Sequence, residues 1–246
     1  MIPKLVIANW KMAIDRASVS QFRTEWELGH IPSEVTALIA PPATFLSGIE
    51  GIAGAALCAQ DVSAHEAGAH TGEISAQMLR EFGCSHALVG HSERRLAWNE
   101  NNALVAEKAR RLEAVGICPV ICVGESKDVR DSGDAESVVA EQVLESAEGL
   151  VSEPVIAYEP IWAIGSGEAA TSEIAEAMHR AIKAALSERF DKPVAVLYGG
   201  SVKATNARDF TACENVDGLL VGGASLSASS FISICQSVGG SANADH

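Results

Sequence analysis

Short apolar runs alternate with amphipathic stretches along the chain, at intervals averaging about 30 residues, the size of one strand–helix unit. Residues 4–9, 35–40, 56–60, 86–90, 118–123, 154–159, 194–198 and 216–221 read as strands. Several are nearly continuous in Val, Ile, Leu and Ala, as in parallel strands covered on both faces. The stretches between them carry helical spacing. In 101–116, Leu104, Val105, Ala109 and Leu112 share one face, Lys108, Arg110 and Arg111 are expected largely outside, and Gly116 closes the helix. In 171–190, Thr171 or Ser172 is the N-cap and Ile174, Met178, Ile182 and Leu186 form the apolar stripe, ending before Asp191-Lys192-Pro193. About eight strands alternating with about eight helices describe an α/β protein, either a closed barrel or a doubly wound sheet. Periodicity does not separate the two.

Composition narrows the picture. At 246 residues and 48% hydrophobic, the chain suffices for one large core, and single α/β barrels commonly run to about 250 residues. Its longest apolar stretches, such as 37–42 and 218–221, fall far short of the roughly 20 residues of a membrane span. Met1-Ile2-Pro3-Lys4 runs directly into strand pattern, so no secretory leader is expected. The cysteines at 58, 84, 118, 122, 213 and 235 form no C-x-x-C pair and sit mostly in apolar runs, which favours a reducing cytoplasm. A formal net charge of −14 argues against nucleic acid and anionic membranes as partners. Any phosphate site on such a chain must be local, built from backbone N–H groups and one or two cations.

Chemically suggestive residues recur where the predicted strands stop. Asn9 and Lys11 follow the first, His91 the fourth, Glu159 the sixth, Gly199-Gly200-Ser201 the seventh and Gly222-Gly223 the eighth. A barrel would gather all of these on one face. The paired glycines let backbone N–H groups approach an anion, and loops after the last two strands of a barrel recurrently bind phosphate. Taken singly, each pair is also an ordinary tight turn, Lys11 a surface lysine, His91 a capping histidine and Glu159 a buried ion-pair partner. Glu93 and Arg94 read as a structural ion-pair network around Lys11.

Five segments are more specific: Asn9-Trp10-Lys11-Met12, Val89-Gly90-His91-Ser92-Glu93-Arg94-Arg95, the run 157–167 from Ala157-Tyr158-Glu159-Pro160 to Gly165-Ser166-Gly167, Tyr198-Gly199-Gly200-Ser201-Val202, and the run 218–226 around Val221-Gly222-Gly223. In order and spacing they resemble the triosephosphate isomerase family over nearly the whole chain. The resemblance implies a single-domain (β/α)8 TIM barrel over residues 1–238. It implies interconversion of D-glyceraldehyde 3-phosphate and dihydroxyacetone phosphate through an enediol(ate), in glycolysis and gluconeogenesis. Glu159 would be the base, His91 the group that polarises the carbonyl, and Lys11 the stabiliser of the oxyanion, with Asn9 orienting the site. The phosphate would meet Gly165, Ser201, Gly222 and Gly223, beside Leu220, and residues 160–170 would be a lid with Trp162, Ala163 and Ile164 at its tip. No cofactor or metal is implied. Gly68-Ala69-His70-Thr71-Gly72-Glu73 resembles the loop that the family inserts into a partner subunit, so a homodimer with Thr71 at its interface follows from the likeness. His91 opening a short helix at Ser92-Glu93-Arg94-Arg95 suits a neutral imidazole, because a helix N-terminus disfavours positive charge.

The sequence departs from the family at Ala13-Ile14 in the first loop, His70 in the subunit loop and Glu168 at the lid hinge. The run Gly165-Ser166-Gly167-Glu168-Ala169-Ala170 matches a dinucleotide fingerprint in letters, but Pro160 to Ile164 separate it from the strand end. The seven histidines contain no H-x-x-x-H or H-E-x-x-H pattern. Residues 239–246 read as a disordered tail. Two rivals share the barrel: an isomerase of a longer phosphorylated sugar, and a non-catalytic phosphate-ester binder, against which a carboxylate base speaks.

Overall fold

The computed structural model describes residues 4–163 and 170–240. Its strands are β1 (Lys4–Asn9), β2 (Val35–Ala40), β3 (Ala56–Ala59), β4 (Cys84–Val89), β5 (Cys118–Val123), β6 (Val155–Tyr158), β7 (Ala195–Tyr198) and β8 (Gly218–Val221). The helices interleaved with them are α1 (Arg16–Glu27), α2 (Leu46–Ile49), α3 (Ala76–Glu81), α4 (Ser92–Trp98), α5 (Asn102–Ala114), α6 (Lys127–Ser132), α7 (Ala135–Ser146), α8 (Ser172–Leu186), α9 (Ala207–Thr211) and α10 (Ala228–Gly239). The strands pair in parallel in chain order and close as β1-β2-β3-β4-β5-β6-β7-β8. This is a (β/α)8 barrel, and it resolves the choice that periodicity left open.

The alternation of side chains explains why the strands read as unbroken apolar runs. Ile7, Leu38, Cys58, Leu88, Val120, Cys122, Ala157, Leu197 and Leu220 fill the inside of the barrel. Their neighbours Val6, Ala8, Ile39, Val89, Ile121, Ile156, Val196 and Leu219 face outward under the helices. Both faces are buried, so neither is polar. Closure depends on Gly218: a Cβ there would lie 1.8 Å from the Leu5 carbonyl oxygen across the β1–β8 seam, where Leu5 pairs with Gly218 and Ala8 with Val221.

Element ends depart from expectation for local reasons. β4 starts at Cys84 rather than His86, with a register irregularity between Leu57 and Cys58 that inserts a residue opposite β3. It stops before Gly90, whose φ of +65° breaks the strand. Pro154 lacks an N–H and stays outside β6, while Glu159 still donates its amide to Val123 O at 2.7 Å. Thr171 caps α8 through Ile174 N, and the helix ends at Leu186, short of Phe190, where the Ser187 hydroxyl takes the Ala184 carbonyl. Asn101 caps α5 and Gly116 follows it at φ +76°.

One expected face is wrong. Arg110 is exposed, but Lys108 is only 4% accessible and bonds Glu100 at 2.6 Å and Asp61 at 2.8 Å. Helical spacing puts position 108 with Val105 and Leu112, on the inward stripe. The two carboxylates there make the charge tolerable. The segment expected to form a lid is described at Ile161–Ala163, a short 3₁₀ turn, and again from Ala170. Ile164, Gly165, Gly167 and Glu168 lie outside the described residues, as do 241–246. No helix among the described residues is long and apolar enough to cross a membrane.

Candidate active site

The C-terminal ends of the strands converge on a cavity of about 540 Å³. Asn9, Lys11, His91, Glu159, Ser201, Leu220, Gly222 and Gly223 all line it, although they span more than two hundred positions of sequence. Every expected site residue within the described chain therefore meets in one place. Glu93, Gly199, Gly200 and Lys203 complete much of the wall.

The first loop holds Lys11 in an unusual conformation. Its φ of +52° lies in the left-handed region, which costs a non-glycine residue about 1 kcal/mol or more. Three contacts hold it there. Lys11 N donates to Asn9 Oδ1 at 3.1 Å, Gln60 Nε2 donates to Lys11 O at 3.0 Å, and Lys11 Nζ reaches Glu93 Oε1 at 2.6 Å. Gln60 also bonds Ala40 O at 2.8 Å, which fixes it to the end of β2. Trp10, fully buried, anchors the loop from behind through Nε1 to Ser225 O at 3.1 Å. The ion pair expected around Lys11 thus involves Glu93, whereas Arg94 turns to Glu100 and Asp61.

His91 is the N-cap of α4. Its Nδ1 accepts the Glu93 amide at 3.2 Å, and its Nε2 lies 3.0 Å from Glu159 Oε1. With Nδ1 accepting, the ring proton belongs on Nε2, directed at the carboxylate. The other oxygen of Glu159 accepts from Ser92 N at 3.1 Å. Both side chains are almost inaccessible, at 6% and 4%. Burial opposes the charge on each, but each overrides it for the other. The Glu159 carboxylate holds the His91 pKa above the ordinary histidine value. Conversely His91, the Ser92 amide and Lys11 hold Glu159 below the ordinary glutamate value. Glycines make the room: a Cβ at Gly124 would fall 1.8 Å from Glu159 O, and one at Gly199 would fall 2.9 Å from Glu159 Cγ.

Across the cavity, Gly222 and Gly223 begin a 3₁₀ turn running to Ser225. A Cβ at Gly223 would meet nothing within 4 Å, and at Gly222 only the Lys11 side chain from 3.5 Å outward. This wall is open backbone facing space rather than a packed turn. Lys11 and Lys203 line the cavity together with Glu93 and Glu159, so its cations are local groups on a chain of net charge −14.

The turn after β6, expected from the sequence to open a lid, is tied down chiefly by residues outside the expected site. Trp162 Nε1 donates to Glu125 Oε1 at 2.8 Å. The same oxygen accepts from Tyr158 OH at 3.1 Å and Arg130 Nη2 at 2.7 Å. The indole is therefore an anchor and not part of a free apolar tip. Ser201 Oγ donates to Ala163 O at 3.0 Å, and Ala170 N donates to Tyr198 OH at 3.2 Å. Glu125 follows β5 as Glu159 follows β6, the same signal one strand earlier. Gln60 carries no such signal, since an amide beside Asp61 looks like any polar loop residue. Among the described residues, no group of three or more His, Cys, Asp or Glu side chains is placed to hold a metal ion.

A buried carboxylate and imidazole, a neighbouring lysine and an open glycine wall at the mouth of a (β/α)8 barrel suit an enzyme that moves protons on a small anionic substrate. The model of the family described as triosephosphate isomerase matches residues 4–238. Similar relatives named triosephosphate isomerase include that of Thermus thermophilus, 46% identical over 96% of this chain and 98% of its own length. That of Paracidovorax citrulli is 47% identical over 94% and 96%, and that of Acidiphilium cryptum 41% over 96% and 98%. The chain belongs to the triosephosphate isomerase family.

Proposed function

We propose that this family member interconverts D-glyceraldehyde 3-phosphate and dihydroxyacetone phosphate, with Glu159 as the base. The observation that carries the reading is the meeting of Glu159, His91 and Lys11 in one cavity with an unobstructed glycine wall. Glu159 removes a proton from the carbon beside the carbonyl. The electrons move to the carbonyl oxygen, a proton passes between the two oxygens, and the enediol(ate) collapses as Glu159 returns the carbon-derived proton to the neighbouring carbon. Such a carbon acid is weak, so a dry pocket and an electrophile are required. His91 supplies the Nε2–H donor and shuttles protons between the two oxygens, Lys11 stabilises the developing oxyanion, and Asn9 keeps the Lys11 loop in register. Glu159 is held by His91 and Ser92; a substrate oxygen that accepts the His91 Nε2–H hydrogen bond frees the carboxylate to reach carbon.

The phosphate sits against the backbone N–H groups of Gly222 and Gly223, with Ser201 and Gly165 completing its shell and Leu220 forming the floor. The segment 160–170 closes over it and keeps the enediolate from water. The protein acts as a homodimer in the cytoplasm. Free thiols at all six cysteines favour a reducing compartment. Met12 and Trp98 are exposed at 96% and 70% and border one cavity, apolar surface that asks for cover. This second cavity, of about 490 Å³, shares Asn9, Lys11 and His91 with the first. The Thr71 loop of a partner is its natural occupant. In that loop His70 stacks on His65 with centroids 3.6 Å apart.

The deciding test is steady-state kcat/KM for glyceraldehyde 3-phosphate beside Glu159→Gln. A parent value near roughly 10⁸ M⁻¹s⁻¹ and a loss of at least about 10²–10⁴-fold in the variant are expected. Activity indifferent to the substitution would remove Glu159 from the mechanism.

A further inference from the structure

The guanidinium of Arg95 lies behind the His91–Glu159 pair and is satisfied in an unusual way. Nε donates to Gly90 O at 2.8 Å, Nη1 to Asn102 Oδ1 at 2.7 Å, and Nη2 to Cys122 O and Ser146 Oγ, each at 3.2 Å. Every acceptor is neutral. Among the described residues no carboxylate stands within ion-pair distance of it, unlike neighbouring Arg94, which engages Glu100 and Asp61. The charge is partly buried, and burial lowers its pKa while Glu100 and Glu159 support it from a distance. A small void is bounded jointly by Arg95, Glu159, Ser92 and Cys122.

The carbonyls that Arg95 takes are informative. Gly90 immediately precedes His91, and Cys122 lies in β5, whose Val123 accepts the Glu159 amide. One side chain therefore clamps the end of the strand bearing His91 to the strand on which Glu159 hangs. Gly90 is fitted to this clamp: its φ is +65°, and a Cβ would come within 2.9 Å of Arg95 Nη2. An uncompensated cation in a low-dielectric setting also projects its field further than a paired one.

We propose that Arg95 is a positioning residue for the reaction, which clamps β4 to β5 and directs an unneutralised positive charge at the Glu159 carboxylate. This rests on Glu159 being the base. A purely structural arginine would affect stability and rate but leave the ionisation of the base alone.

Three variants separate the clamp from the charge, each read as the pH profile of kcat/KM with kcat and KM resolved. Arg95→Lys keeps the charge and loses the fork; kcat is expected to fall about 10-fold with the acid limb in place. Arg95→Met removes the charge, and the acid limb is expected to move up by about half a pH unit or more. Because Arg95→Met risks misfolding, the paired exchange Asn102→Asp with Glu145→Gln supplies a second route. Asn102 Nδ2 now donates to Glu145 Oε2 at 2.8 Å; the exchange reverses that bond and sets a carboxylate against Arg95. It too is expected to move the acid limb upward. Acid limbs unmoved in the exchanged pair, and in any folded Arg95→Met, would overturn the proposal. Should Glu159→Gln itself keep full activity, the fault would lie with the assignment of the base rather than with Arg95.

Discussion

The imidazole of His91 lies 3.0 Å from Glu159 Oε1 through Nε2, while its Nδ1 accepts the Glu93 amide at 3.2 Å. One ring nitrogen is thus held in acceptor form by a helix N-terminus and the other is aimed at a carboxylate, so each partner sets the proton inventory of the other.

The pair's titration follows from this. Glu159 is the support that lifts the His91 pKa. Without it, burial, the Glu93 N–H on Nδ1 and the Lys11 charge favour the neutral ring, opposed by the Glu93 carboxylate, whose Oε2 lies 3.7 Å from Nδ1. In Glu159→Gln, the His91 pKa measured by ¹⁵N NMR should fall from the parent's raised value. In the parent, Glu159 has a lowered folded pKa, so its stabilising contribution is present above the unfolded value and is lost as pH falls through the folded one. His91 has the opposite sign: its contribution is present below its unfolded pKa and is lost as pH rises through the raised one. An unchanged His91 titration in the variant would mean the two are not coupled.

Gly199→Ala probes placement of the base. The new methyl would sit 2.9 Å from Glu159 Cγ and 3.3 Å from Tyr158 O, so the glutamate must shift. A displacement near 1 Å costs about 10²-fold in rate. The variant should lose kcat by that order with KM little changed, and circular dichroism should report an intact barrel.

Lys108→Met tests the buried cluster beneath α5. Lys108 neutralises Glu100 and Asp61, which are 2% and 23% accessible at their side chains. Removing one member of a buried pair leaves an uncompensated charge, at about 3–5 kcal/mol. Arg110→Ala on the exposed face should change stability by about 0.5 kcal/mol or less. Urea midpoints of the two variants distinguish them directly.

His179 predicts an acid-sensitive fold. It is fully buried on α8, its Nε2 has no partner among the described residues, and burial pushes its pKa down to about 4. The folded state therefore binds fewer protons than the unfolded one between about 4 and 6.5. Stability contributed by the neutral ring is complete above about pH 6.5 and declines as pH falls toward 4, by up to about 3 kcal/mol. His179→Gln should flatten that part of the urea-midpoint profile. A slope equal to the parent's would assign the acid sensitivity elsewhere.

Much of this molecule is readable along the chain because parallel strands buried on both faces leave continuous apolar runs. β1, β2 and β5 begin and end where the hydrophobic pattern does. The site is readable for a related reason: Asn9, Lys11, His91 and Glu159 are polar residues at the ends of apolar strands, each with an ordinary structural reading by itself, and the barrel order brings all four to one face. Other features depend on contacts between distant segments. Lys108 looks exposed by its charge and is buried because Asp61 arrives from the loop after β3 and Glu100 from the α4–α5 turn. Gln60 gains its role only when β3 is laid beside the first loop, so that one amide holds both Ala40 O and the strained Lys11. Glu125 becomes the anchor of Trp162 only when β5 and β6 are neighbours. Barrel closure itself was decided at the β1–β8 seam, where Gly218 admits the Leu5 carbonyl. Sequence alone determined which residues are buried strands and which polar groups end them, since those follow from local periodicity. Tertiary structure decided which charges are paired, which backbone is strained and how the base is held, because those energies depend on groups that only folding brings within a few ångströms.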